Sequence, residues 1–300
     1  MSITLPEFLM KCRPKGGRVT HTTMPGEQKA SAYTIDKSKI NDFFDIYEEH
    51  VFKHGVPTHM NETSDPNRRS PLKVDFDFRY IQDDTNVKPK RRYTLLMIKE
   101  SIRMFYEIFK DWLVLPFEDD QTQCLIFERP NAKWKNKDEG IVKDGIHIIW
   151  PHLVCPFSFQ HKVRTEMLKK LKSSGIFHNM ELTNEIRDVY DIGVIEGNWM
   201  MYGSCKPKHK PYELTHILQY TIDEDDTEDI EDIDIDRQQY TNAYLIRVLS
   251  MRDRCDSLAT FQLHKEREIA DMEAKALKIK EEKRLKKLVH MKTDAEKTDD

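Results

Sequence analysis

The chain has 300 residues, enough for one large domain or two small ones around a substantial core. Its formal net charge of −4 excludes a uniformly basic nucleic-acid binder, although a balanced total can hide a basic cleft. The five cysteines (Cys12, Cys124, Cys155, Cys205, Cys255) form no CxxC pair, the N-terminal stretch lacks an apolar signal core, and no apolar run approaches a membrane span. The expectation is a soluble, intracellular protein with free thiols and no membrane partner.

Residues 1–29 are rich in Gly, Pro, Lys and Arg and read as an irregular basic arm. ASAYTI (30–35) is a short predicted strand. Ser38 is a predicted cap for a helix carrying Ile40, Phe43, Phe44, Tyr47 and Val51 at helical spacing, with Gly55 as its stop. PLKVDFDFRY (71–80) alternates and predicts a strand. The basic turn KPKRR (88–92) leads into an amphipathic helix with Leu95, Ile98, Ile102, Phe105 and Phe109 on its apolar face. Predicted strands follow at QCLIFE (123–128) and GIHIIW (145–150), then a helix over Phe159–Lys172 with Ser158 as cap and Gly175 as stop. Further strands are expected near 199–202 and 212–222. The acidic run DEDDTEDIEDIDID makes 223–237 a predicted solvated loop, 238–262 a helical extension, and 263–300 a charged helix or linker. Strands alternating with helices give a mixed α/β or α+β domain over 30–222.

Three segments carry chemistry. Asp75 and Asp77 stand two apart on a predicted strand, which places both carboxylates on one face and Val74, Phe76 and Phe78 on the other. Paired carboxylates repel unless a cation lies between them, and hard oxygen ligands suit Mg²⁺ or Mn²⁺. The plain alternative is a polar sheet face, and Lys73 and Arg79 border the pair. Lys143, Gly145 and His147 share a face of the second strand, where the cation and imidazole can meet a triphosphate and the glycine permits close approach; a core or surface histidine is the bland reading. Residues 188–207 place Asp191 before NWMMY and the turn Gly203-Ser204-Cys205-Lys206. Asp191 can complete a three-acid site, with Asp188 and Glu196 not excluded by spacing, and Ser204 and Lys206 offer phosphate contacts.

Together these segments resemble the archaeo-eukaryotic primase (AEP) superfamily, in which an acidic pair on a strand, a small-residue-x-His strand and a later acid follow in that order. Here they are Asp75-Phe76-Asp77, Gly145-Ile146-His147 and Asp191. The likeness spans about residues 30–220 and is strongest toward the primase domains of poxvirus and giant-virus primase-helicases, chiefly through NWMMYGSCKP (198–207); it is more distant toward PrimPol. The resemblance implies an RRM-like antiparallel sheet packed with helices, an N-terminal αβ unit and a catalytic cleft between them. It implies a DNA primase or primase-polymerase that makes primers on a single-stranded DNA template from NTPs or dNTPs, with two Mg²⁺ or Mn²⁺ ions on Asp75, Asp77 and Asp191. His147 would contact the triphosphate, assisted by Lys143, Gly145, Ser204, Lys206 and Arg79. It further implies a helicase region following in the same polypeptide and, if the protein is viral, action in the host cytoplasm or viral factory.

The sequence departs from the family pattern in two places. Gly145 stands where Ser is usual, and Trp199-Met200-Met201 where many relatives have Arg; Arg79 or Lys73 are the substitutes considered. The spacings of His152, Cys155, Cys205 and His209 do not form a standard finger, so no zinc is expected. Holding two nucleotides for initiation requires a second cationic site, for which Lys11, Arg13, Lys15, Arg18 and the KPKRR turn are candidates. The competing functions are a metal-dependent nuclease using the same carboxylates and a non-catalytic single-stranded nucleic-acid-binding domain.

Overall fold

A computed structural model describes residues 3–25, 29–114, 122–223, 225, 227–252, 254 and 258–296; Cys255 lies outside them. The N-terminal segment is more ordered than its composition suggests. Helix α1 (Leu5–Lys11) is closed by a reciprocal capping box: the Thr4 hydroxyl accepts from the Glu7 amide and the Glu7 carboxylate accepts from the Thr4 amide at 2.8 Å. Strands β1 (His21–Thr23) and β2 (Ala32–Tyr33) follow. Helix α2 (Ile40–Glu48) grows from a 3₁₀ turn over Lys37–Lys39, so Ser38 is not its cap, and it runs through a π turn to Gly55 at φ +66°.

Next come β3 (Met60–Glu62), β4 (Arg69–Ile81), α3 (Leu95–Trp112), β5 (Gln123–Glu128), β6 (Lys133–Asn136) and β7 (Ile141–Pro156). Helix α4 (Phe157–Ser174) ends at Gly175 in the left-handed region, as expected. Ser158 does not cap it; its amide donates instead to Glu273 Oε1 at 2.7 Å. Two single turns, α5 (Ile186–Val189) and α6 (Gly193–Glu196), precede β8 (Trp199–Met200). The chain continues through β9 (Glu213–Ile222), β10 (Glu228–Ile233), α7 (Asn242–Val248) and α8 (Leu263–Glu296).

Two antiparallel sheets result, one ordered β2-β1-β3-β8 and one ordered β10-β9-β5-β7-β4, with β6 added on β7. The mixed architecture matches the expected fold class. Alternation in β4 sends Leu72, Val74, Phe76, Phe78 and Tyr80 into one core with Ile102, Phe105 and Phe109 of α3 and Phe159, Val163 and Met167 of α4. The opposite face of the large sheet packs Leu125, Phe127, Ile149 and Ile217 against Trp199 and the α7 residues Leu245 and Val248. A smaller core of Phe8, Phe43, Tyr47 and Met60 underlies the N-terminal sheet.

The acidic run is not a free loop over its whole length. Residues Glu228–Ile233 form an edge strand on β9, with Ile230 in the main core. Its acids are accommodated because α3 presents cations to that edge: Lys110 meets Glu228 at 2.6 Å and Arg103 meets Asp229 at 3.4 Å. Among the described residues the helical extension is limited to α7; Leu258 and Phe261 instead make single bridges to Val154 and Leu113.

Arg68 joins distant parts of the chain. It holds a left-handed backbone at φ 56° while its guanidinium pairs with Glu196 of α6 at 2.9 Å and Glu273 of α8 at 2.9 Å. Burial by itself pushes the Glu196 carboxyl up, but Arg68, His161 and Lys280 outweigh it and hold the group down at about 2 from 4.5. A depressed carboxylate contributes stability that is present above the unfolded value and lost as pH falls through the folded one. Glu196→Gln is therefore expected to flatten the fall in stability between pH 4.5 and about 2, as read from urea midpoints across that window; equal acid sensitivity in both proteins would refute this role for the pair.

Candidate active site

The ladder between β4 and β7 sets the site. It places Asp75 opposite His147, Asp77 opposite Gly145 and Arg79 opposite Lys143. The even positions of β4 are spent on the core, so Lys73, Asp75, Asp77 and Arg79 share the other face. β4 is an edge strand of its sheet, and its free edge is covered by residues 182–191. Along that edge Thr183 donates its amide to Arg79 O at 2.7 Å, the Asn184 side-chain amide donates to Asp77 O at 2.8 Å, and the Asp191 amide donates to Asp75 O at 3.0 Å. The third acid thus reaches the first through the backbone. Asp191 is also fixed locally, since its Oδ1 accepts from the Gly193 amide at 2.8 Å.

The acids are not equivalent. Asp77 Oδ2 accepts from Lys143 at 2.7 Å and Arg79 at 3.4 Å, while its Oδ1 is buried with no hydrogen-bond partner. Burial, then the charges of Asp77 and Asp191, push Asp75 up to about 7 against the pull of Arg129 and Lys143. His147 approaches Asp75 Oδ1 at 3.8 Å, but burial and the positive charges of Arg129 and Lys206 hold its pKa down at about 3. The ring is therefore neutral at physiological pH, and the contact is not an ion pair. Tyr212 stacks on the imidazole with centroids 3.8 Å apart, and Trp199 lies 4.7 Å away. An apolar cavity beside the ring is walled by Phe127, Ile149, Trp199, Met201, Tyr202 and Leu249. Among the described residues, no group of three or more His, Cys, Asp or Glu forms a ready metal cage.

Cations border the acids: Arg79, Arg129 just after β5, Lys133 at the start of β6 and Lys143, with Lys206 near His147. Burial, reinforced by the charges of Arg129, Lys143 and Lys206, pushes the Lys133 amine down from its ordinary value. The structure thus gathers Asp75, Asp77, Arg79, Lys143, Gly145, His147, Asp191 and Lys206 in one region. Two other candidates, Ser204 and Lys73, are already engaged by neighbouring groups, although Ser204 lines the same cavity as His147. Ser204 is 3% exposed, and its hydroxyl lies 2.7 Å from Thr58 and 2.9 Å from Tyr47, so it is held in a buried network. Its amide and that of Cys205 donate to Met201 O and Thr58 O, so these two amides of the turn are already engaged. Lys73 is 2% exposed and donates to Ser70 at 2.8 Å and Ile195 O at 3.4 Å; burial pushes its amine down to about 8. The KPKRR arginines are also engaged, Arg91 with Asp144 and Glu128, and Arg92 with Glu181 and Met180 O.

Sequence reading did not single out Asn184, Arg129, Lys133 or Tyr212. Arg129 and Tyr212 flank strands that pair with each other, and position at the ends of neighbouring strands was the available signal.

Comparison with known proteins shows the family of the chain. The family model described as the C962R protein N-terminal AEP domain matches residues 20–218. A protein of Acanthamoeba polyphaga mimivirus that carries a helicase name (L207/L206) is 29% identical over 218 residues, 70% of this chain and 21% of that protein. A helicase-named protein (184R) of Invertebrate iridescent virus 6 is 26% identical over 225 residues, 69% of this chain and 22% of that protein. The chain spans about a fifth of the length of these relatives.

The close pairing of β4 and β7 has a direct test at Gly145. A Cβ there would lie 2.9 Å from Phe76 O and 3.2 Å from the Tyr212 hydroxyl, so a strand or a stacked ring must shift. Gly145→Ala is expected to cost about 1–3 kcal/mol of stability, as overpacked sites do, seen as a lower urea midpoint at unchanged slope.

Proposed function

The chain belongs to the family of C962R-type N-terminal AEP domains, and on that premise we propose that it is a primase-type nucleotidyltransferase. It would join nucleotides into a primer on a single-stranded DNA template. The observation that carries the reading is the delivery of Asp191 to the Asp75-x-Asp77 strand by a backbone bond, opposite a strand bearing His147 and Lys143.

The acids suit divalent cations. Asp77 Oδ1 is buried without a partner, and Asp75 is crowded by two further carboxylates, both of which a cation relieves. Asp75, Asp77 and Asp191 would hold Mg²⁺ or Mn²⁺, whose preference is for such oxygens. When bound, these ions make a 3′-hydroxyl a better nucleophile and neutralise the charge of departing pyrophosphate.

The protein's own groups do the rest by position and charge. Lys143 and Arg79 fix the Asp77 carboxylate from one side. His147, neutral and clamped by Tyr212 and Trp199, offers a ring N–H to a phosphate oxygen without adding charge to the site. Lys206 and Lys133 supply long-range attraction for the triphosphate. No side-chain nucleophile is required, since in-line geometry and electrostatic stabilisation account for this class of reaction. The helicase names of both viral relatives support a place for this domain ahead of a helicase region in one polypeptide.

The test is to incubate the chain with single-stranded template, NTPs or dNTPs and Mg²⁺ or Mn²⁺, and to look for new oligonucleotides. Asp75→Ala combined with Asp77→Ala is expected to lower their yield by about three orders of magnitude, since metal charge stabilisation is worth several kcal/mol. Undiminished product from the double variant would refute the site, and template shortening in place of synthesis would favour a nuclease.

A further inference from the structure

We propose that Arg129 is a phosphate-binding residue of the nucleotide site, taking the polyphosphate of the incoming nucleotide in its guanidinium fork. This deepens the function proposed above and rests on it. The nearby cations differ in what they already hold. Lys143 and Arg79 are bound to Asp77, and Lys133 contacts His209. Arg91, which precedes α3, is bound to Asp144 and Glu128. Arg129 forms no salt bridge or hydrogen bond through its guanidinium among the described residues, and its Nε is buried without a partner.

That unpaired group is held in place. The guanidinium carbon lies over the Tyr212 ring, 5.0 Å from its centroid, and Tyr212 in turn stacks on His147. Arg91 donates to the Arg129 carbonyl at 2.5 Å and fixes its backbone. A Cβ at position 145 would stand 3.5 Å from Arg129 Nε, in van der Waals contact, so Gly145 lies directly beside the guanidinium. The charge of Arg129 acts on Asp75, His147 and Lys133, so the guanidinium is within electrostatic reach of all three. A half-buried, unpaired guanidinium lying over a ring suits an anion that presents two oxygens to its fork, and phosphate is the anion this reaction brings.

The experiment uses the full chain with single-stranded template, nucleotides and Mn²⁺. Inorganic tripolyphosphate serves as a competitor that carries phosphates without base or sugar. Arg129→Gln is expected to raise the nucleotide KM by about tenfold or more with a smaller change in kcat, and to weaken tripolyphosphate competition in parallel. Arg129→Lys keeps the charge but not the fork and is expected to fall between wild type and Arg129→Gln, which separates phosphate binding from a folding defect. Melting curves on both variants check the fold. Unchanged KM and unchanged tripolyphosphate competition in both variants, with an active wild-type chain, would overturn this inference and leave the proposed function standing. A wild-type chain that makes no oligonucleotide and binds no tripolyphosphate would overturn both.

Discussion

The antiparallel ladder between β4 and β7 is the constraint on which the site depends. A strand that buries Val74, Phe76, Phe78 and Tyr80 on one face has no choice about where Asp75 and Asp77 point. The register then decides which groups they meet. A slip of one residue would send both acids into the aromatic core beside Phe105 and Phe177, where unpaired carboxylates are far too costly. The hydrophobic term that stabilises the sheet thus also selects the arrangement of His147, Gly145 and Lys143 opposite the acids.

The second constraint is the treatment of the β4 edge. Exposed edges invite unwanted pairing, and here residues 182–191 cover the edge with few regular strand hydrogen bonds. Asn184 serves in place of a strand residue by bonding the main chain of both Asp77 and Arg79. The same covering segment ends at Asp191, so edge protection and delivery of the third acid are one structural event. Electrostatically the outcome is a buried excess of negative charge facing a rim of cations, which is how perturbed groups such as Asp75 and His147 come to lie side by side.

Much of this was legible in the sequence, and the reasons are specific. The period of two in KVDFDFRY fixed the face shared by Asp75 and Asp77, and the same period placed Lys143, Gly145 and His147 together. What sequence cannot show is pairing between segments far apart in the chain, which is how Arg129, Lys133 and Tyr212 reach the site and how the Ser204 hydroxyl, expected to meet phosphate, comes to lie against Tyr47 and Thr58. The N-terminal segment differs, because its Thr4-x-x-Glu7 capping signature is visible in the sequence but sits in Gly- and Lys-rich surroundings that favour an irregular arm. The acidic run was misread because charge dominated its pattern, whereas edge pairing needs only backbone and one buried Ile230.

Helix α8 is 34 residues long, yet it is tied to the body near its start, where Ile269 is buried, Met272 packs on the core and Glu273 pairs with Arg68. Farther along, Leu277, Ile279 and Leu285 are exposed. Helix formation is limited by its first turn, with a nucleation penalty of about 10⁻³, while later residues add at nearly neutral cost. The docked turns therefore act as a seed for the exposed ones, which inherit helicity they would hold poorly as a separate peptide. Unwinding of α8 should start at its distal end and proceed inward toward the turns where Lys280 meets Glu196 and Glu273 meets Arg68.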